Sequence, residues 1–235
     1  MSRWRAAAAH LVLSIVVIGG IALAAFLVWY PHAIYRIAGL DRILLVMLAI
    51  DLTAGPLLTL IIYRTGKWGL RFDLLAIALC QAAFLCYGLH TLWKGRPVFL
   101  VATPDSYTLV FAHEVGTAHL ASEGQPGWNR LPWAGPALVG ARMPDDPNQR
   151  REAMDAFMAG GPGIERSPRR YLPFEVVSPD LLRSAVELPP SIPKTEVQRT
   201  GLDRDSLRTV PVMSRRGEGL MLIDATDARP LRAVN

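Results

Sequence analysis

Three apolar runs, closed at their ends by Arg or Lys, fill the first 93 residues and constrain everything else about this chain. The first extends from Ala6 to Tyr35, interrupted by His10 and His32, with its core at Leu11–Trp29. The second is Ile43–Ile62, broken by Asp51 and by Gly55-Pro56, and the third is Leu74–Trp93, carrying Cys80, Gln81 and Cys86. About 20 apolar residues cross a bilayer core as a helix. Each run is therefore long enough, and the pattern predicts spans at about 10–30, 43–62 and 74–93. Trp29 and Tyr30 sit where interfacial aromatics belong, and Pro31 ends the helix. The average of 51% hydrophobic and 19% charged residues thus describes neither half of the chain. It excludes a disordered chain, a collagen-like chain and an ordinary soluble globule.

A cleaved leader is the rival reading of the first run. Arg3 and Arg5 make a basic leading region, and Ala22-Leu23-Ala24 resembles a cleavage site. The apolar stretch continues past that site to Trp29, which favours a retained anchor.

Charge sets the orientation. Arg3, Arg5, Arg64, Lys67 and Arg71 lie on one side of the spans, and Arg36, Arg42, Lys94 and Arg96 on the other. Five against four favours a cytoplasmic N-terminus by the positive-inside bias. Three spans then leave residues 94–235 outside the cytoplasm. Residues 1–93 carry a net charge of +4 and residues 94–235 a net +1, out of +5 in all. The basic excess belongs to the ends of the spans, so the extramembrane part has no bias for a nucleic-acid backbone to exploit. Cys80 and Cys86 are the two cysteines. Six residues apart on a helix, they do not share a face, so no disulfide is expected between them.

Residues 94–235 read as a small α+β domain. Pro97–Ala102 and Tyr107–Phe111 are apolar strand segments joined by a turn at Thr103–Ser106, which predicts a hairpin. Residues 122–135, rich in Gly, Pro and Trp, suit an ordered loop, and Ala137–Arg142 suits a strand. Asp146, Pro147 and Gln149 form a capping-box pattern ahead of a helix whose apolar face is Ala153, Met154, Phe157 and Met158. Gly160-Gly161 stops it. Pro162–Tyr171 reads as a loop with Arg166, Arg169 and Arg170, either solvated or facing an anionic surface. Ser178-Pro179-Asp180 opens a second short helix. Thr209–Met213, Leu220–Ile223 and Leu231–Val234 read as closing strands, with a turn at 215–219.

Asp51 is the sharpest single residue. A carboxylate at mid-span is costly and faces a protein interior or a polar partner. Two readings stand: Asp51 contacts a partner's membrane helix or takes up a proton, or it pairs internally or sits neutral within the three-helix bundle. Pro56 cannot donate an N–H to the Leu52 carbonyl, which predicts a kink beside Gly55. Asp73 reads as a favourable charge at a helix start. His113, Glu114 and His119 invite a metal reading, but the spacing is not H-E-x-x-H and no third ligand accompanies them. No metal or other cofactor is expected. The sequence holds no nucleophile elbow, P-loop or dinucleotide fingerprint, so no enzyme is predicted.

The membrane half carries a resemblance. The run Ile50–Leu60 (IDLTAGPLLTL) with Ile61–Lys67 (IIYRTGK) resembles the second span of the type IV pilin accessory proteins, the TfpX/TfpZ family. Leu70–Leu74 (LRFDL), Tyr87-Gly88, Lys94–Val98 (KGRPV) and Trp29-Tyr30-Pro31 look like neighbouring elements of that family. The likeness covers residues 1–112. The resemblance implies a non-enzymatic, multi-pass protein of the bacterial inner membrane with a periplasmic C-terminal domain. It implies a role in pilin stability, pooling or assembly into the pilus. The implied partners are the cognate type IV pilin, inner-membrane pilus assembly components and membrane lipid, with no nucleic acid. Asp51, Gly55, Pro56 and Asp73 are the candidate partner-binding residues, and Gly19, Gly20, Ala22, Ala24 and Ala25 would allow close helix approach. The alternatives are a membrane-anchored periplasmic sensor or ligand-binding protein, and an enzyme using an intramembrane acid.

Overall fold

The computed structural model describes residues 2–64, 66, 68–116, 120 and 127–234, and of Asp51 the backbone alone. The chain divides into two compact units. The first is Met1–Leu27 with Leu40–Lys94; the second is Val28–Gly39 with Gly95–Asn235.

The first unit is helical: α1 (Arg3–Trp29), α2 (Leu40–Ala49), a π-helical turn (Ile50–Ala54), α3 (Gly55–Ile62) and α4 (Leu70–Lys94). Among the described residues these make three helices long and apolar enough to cross a membrane, with Leu40–Ile62 acting as one. Their most apolar stretches are 17%, 18% and 11% buried within the protein, so most of their apolar surface needs a cover from outside. The helices run further toward their basic flanks than the apolar runs do.

Pro56 interrupts the regular α-helical pairing of the second span through a π-helical turn. It stands at the head of α3, directly after the π turn, while Ala49, Ala54 and Gly55 keep right-handed helical torsions. A wider i→i+5 turn re-pairs the carbonyl that a proline strands and makes room for its ring. Thr53 Oγ1 also donates to the Ala49 carbonyl within this turn.

The second unit is built on a mixed sheet. Among the described residues it has eight strands: β1 (Pro97–Ala102), β2 (Tyr107–Phe111), β3 (Ala137–Ala141), β4 (Tyr171–Leu172), β5 (Val186–Glu187), β6 (Leu207–Met213), β7 (Glu218–Asp224) and β8 (Pro230–Val234). The order is β4-β3-β1-β2-β6-β7-β8, with β5 paired to β6. β1 and β2 form the expected antiparallel hairpin, β3 adds parallel to β1, and β6–β8 form an antiparallel meander joined to β2. Every residue of β1 and β2 is buried, which is why PVFLVA and YTLVF carry no polar alternation: both faces are covered. Phe99 and Tyr171 meet edge to face at 5.0 Å in the core beside Val101, Val110 and Val139.

Three helices with both ends among the described residues accompany the sheet: α5 (Pro147–Met158), α6 (Phe174–Ser184) and α7 (Lys194–Gln198). Asp146 caps α5 by accepting from Asn148 N. The predicted apolar face of α5 is not a core face: Ala153 is buried, while Met154, Phe157 and Met158 are exposed. The second helix starts four residues before Ser178. Phe174, Val177 and Leu181 recur at helical spacing and bury against the sheet, and this packing carries the helix through Pro179. Gly140 on β3 lets α6 come close, since a Cβ there would meet Val177 Cγ2 at 2.7 Å.

The stretch after α1 is part of this unit rather than a simple connection. Tyr30, Ile34, Ile37 and Ala38 are each at most 2% exposed. Ser214 Oγ donates to the Ile37 carbonyl at 2.7 Å, and Arg216 Nη1 to the Ala38 carbonyl at 3.2 Å. Gly135 N donates to the Val28 carbonyl at 2.7 Å, and Trp29 Nε1 to the Trp133 carbonyl at 2.9 Å. Burial pushes the Tyr30 phenol up to about 12, against the opposing pull of the Arg216 charge.

Candidate functional site

The strongest candidate in the helical unit is a groove where α1, α3 and α4 meet. It encloses about 380 Å³. Leu13, Val17 and Ile18 of α1 and Leu74, Ile77 and Leu85 of α4 make its apolar walls. Four polar side chains interrupt them: His10, Ser14, Thr59 and Gln81. The helical period explains the grouping. His10 and Ser14 are one turn apart on α1; Leu74, Ala78, Gln81, Ala82 and Leu85 form one stripe on α4. Thr59 is 3% exposed and pairs with His10, Nδ1 to Oγ1 at 2.7 Å.

Gly55 sets the spacing between α3 and α4. A Cβ at this position would stand 2.7 Å from Gln81 Cδ, so the absence of a side chain is what lets the Gln81 amide lie against the α3 backbone. The candidate residues of the second span therefore act on the bundle in different ways. Gly55 admits Gln81, Pro56 imposes the π turn, and Asp51 contributes its backbone to that turn, its side chain lying outside the described residues. Asp73 sits in the first turn of α4, where its charge favours the helix N-terminus, and is not part of the groove wall. Gly19 and Gly20 on α1 have open space where a Cβ would be.

A second groove of about 360 Å³ lies between α2 and α4, lined by Ile43, Val46, Met47, Ile50, Phe84 and Gly88 among others. Its wall is almost wholly apolar; Thr91 is turned to its own helix, donating to the Tyr87 carbonyl at 2.9 Å. Polar side chains distinguish the first groove. The sequence marks them weakly, as single polar letters inside apolar runs, and their i, i+4 spacing on α1 was the available signal.

The second unit places its candidates in a structural role. Glu114 is fully buried: its carboxylate accepts from Phe111 N at 2.8 Å, Arg166 Nε at 3.1 Å and Arg215 Nε at 2.8 Å. His113 stacks on the Phe111 ring, and His119 lies outside the described residues. Among the described residues no group of three His, Cys, Asp or Glu converges as a metal site would require. Arg166 is thus half-buried in an ion-pair network rather than solvated, and Arg169 and Arg170 stand 3.8 and 4.0 Å from Glu152. Elsewhere Glu196 accepts from Arg232, and that bond together with the charges of Arg232, Arg199 and Arg36 holds its carboxyl below the usual range.

Three relatives bear on what such an arrangement serves. The chain is 25% identical over 226 residues to the fimbrial assembly protein of serogroup E1 of Dichelobacter nodosus, covering 91% of this chain and 87% of that protein. It is 24% identical over the same length to the serogroup I protein of that organism. It is 31% identical over 103 residues to the fimbrial assembly protein of serogroups C1 and C2, covering 43% of this chain and 79% of that protein. No profile of a known protein family matches the chain. No solved structure matches it.

Proposed function

The chain belongs to the family of fimbrial assembly proteins, and on that premise we propose that it is a non-enzymatic accessory protein of type IV pilus assembly in the bacterial inner membrane. It holds or stabilises the cognate pilin before assembly, contacting it both in the membrane and in the periplasm. The likeness to type IV pilin accessory proteins of the TfpX/TfpZ kind, carried by Ile50–Lys67, gives this finer reading its direction.

One observation supports it above the others: Val28–Gly39 and Gly95–Asn235 fold as one compact unit. Two segments that share a core must lie on the same side of a membrane. Between them the chain has two apolar helices, Leu40–Ile62 and Leu70–Lys94, whose two crossings return it to the side it left. Adding α1 puts Arg3 and Arg5 on the opposite side, where the positive-inside bias wants them. The protein then presents a periplasmic domain and a membrane bundle together, the two surfaces a membrane-held pilin needs. The bundle helices leave most of their apolar surface uncovered, which suits lipid and a partner helix.

The test is deletion with complementation in a piliated host. The proposal expects fewer surface pili or a lower pool of membrane pilin, both restored by the intact gene. Unchanged pilus number and unchanged pilin level sink it. Asp51→Asn retaining full complementation removes the remaining candidate for an acid-dependent activity.

A further inference from the structure

We propose that the groove between α1, α3 and α4 receives a single membrane-spanning helix of the pilin, and that the Gln81 amide is the hydrogen-bonding anchor for a polar side chain on it. This rests on the function proposed above, and it names the surface through which that function operates in the membrane.

The argument begins with Gln81. It is residue 12 of the 25 in α4, so it stands near the middle of the span. Its side chain is half-buried and lines the groove. Among the described residues its amide has no hydrogen-bond partner. A primary amide carries two donors and an acceptor. In hydrocarbon neither water nor lipid tails satisfy them, so the missing complement must come from another protein group at the same depth. Of the other three polar side chains on the wall, His10 and Thr59 bond each other, and Ser14, one turn from His10, offers a single hydroxyl; the Asp51 side chain lies outside the described residues.

Shape favours a helix as the occupant. The lining runs from His10 to Ile18 on α1 and from Leu74 to Leu85 on α4. At about 1.5 Å per residue these stretches are roughly 12 and 16 Å long, the length of two to three helical turns. Ser14, Ala78 and Ala82 on the lining are small and permit close backbone approach. The groove between α2 and α4 carries Arg42, Tyr87 and Thr91 on an otherwise apolar wall, has no amide among its lining residues, and is left to lipid.

The experiment places a photoreactive amino acid in the full chain, in native membranes, at Ala78 or Leu85 in the groove and at Leu79 on the exposed side of α4. Adducts are mapped by mass spectrometry to the segment captured. The expected result is an adduct with the membrane helix of the pilin from Ala78 and Leu85, absent from Leu79. Gln81→Leu lowers its yield about three- to thirtyfold, the range for one interhelical hydrogen bond. Ala82→Phe, which fills the groove and leaves the amide in place, lowers it as well. Normal membrane abundance and protease resistance of both variants exclude misfolding as the cause; loss of either moves the readout to Ala82→Leu. Adducts with lipid alone, adducts with a second copy of this chain, equal capture from Leu79, or an unchanged yield in Gln81→Leu each overturn the proposal. If deletion of the gene removes pili while the groove captures no pilin, the functional reading stands and this one falls. If deletion leaves pili and pilin unchanged, the functional reading itself falls.

Discussion

Replacing Ile34 by alanine separates two descriptions of the stretch between the first two long apolar helices. As a loop at a membrane surface, this residue is worth within about 0.5 kcal/mol of stability when truncated. As a core residue, it is worth far more. Ile34 is 0% exposed, Ile37 is 2%, and their neighbours Tyr30 and Ala38 are equally closed off. Ile→Ala at such a position costs about 2–5 kcal/mol, the lost transfer energy plus the cavity left behind. The backbone bonds from Ser214 and Arg216 to the carbonyls of Ile37 and Ala38 prevent easy collapse of that cavity. A domain is stable by only about 5–15 kcal/mol, so the loss is a large share of the total. Every 1.4 kcal/mol is tenfold in population, so the open state of the unit rises about thirtyfold to several thousandfold. Protease added on the side of the membrane that carries the sheet-bearing unit reads that population when reclosing is faster than cleavage. The assay compares Ile34→Ala with His32→Ala, an exposed neighbour. Cleavage sites are scored in the distant residues 97–234. Cleavage of Ile34→Ala no faster than of the parent would refute the shared core and, with it, the same-side argument.

Glu114→Gln keeps the shape of a buried side chain but removes the charge that Arg166 and Arg215 address; a loss of about 1–3 kcal/mol is expected in the urea unfolding of the sheet-bearing unit. Gly140→Ala drives a Cβ against Val177 Cγ2 and within 3.1 Å of the Pro173 carbonyl, costing about 1–3 kcal/mol. Val177→Ala in the same chain recovers part of it, and strictly additive losses would show that the two sites do not touch. Alkaline pH destabilises the unit by linkage. The Tyr30 phenol is raised to about 12, and Tyr107 and Tyr171 are raised further by burial. The unfolded chain releases these protons near pH 10 and the folded chain does not. The tyrosine contribution is therefore whole below pH 10 and falls as pH rises toward 12, seen as a falling thermal midpoint. A flat midpoint from pH 9 to 12 contradicts that burial.

The parts of this fold that are written locally are legible in the sequence. The hairpin Pro97–Phe111 shows itself because strands covered on both faces need unbroken apolar runs. The meander β6–β8 follows its turn residues, and α5 begins where Asp146-Pro147 says it does. Features set by distant contacts are not legible. Nothing near Ile37 in sequence announces Ser214, and nothing near Glu114 announces Arg215. The start of α6 is hidden by Pro179, which looks like a helix opening and instead sits inside one. The Met154, Phe157 and Met158 stripe has helical spacing yet faces outward, because spacing reports a face and not what covers it. In the sequence of the helical unit, Asp51 draws attention as a charge, while the uncharged Gln81 is placed by Gly55 one helix away.

The shared core of Val28–Gly39 and Gly95–Asn235 also orders events during synthesis. Residues 28–39 leave the ribosome first, and their apolar side chains stay uncovered until β6 and the Ser214–Gly217 turn arrive, some 175 residues later. If one of the two later helices, Leu40–Ile62 or Leu70–Lys94, fails to cross, the two halves of one core are left on opposite sides of the bilayer. Neither half can then close, and the unpaired strands become substrate for membrane proteases. The sheet-bearing unit is in this sense a checksum on insertion: its core closes when both helices between its two segments have crossed.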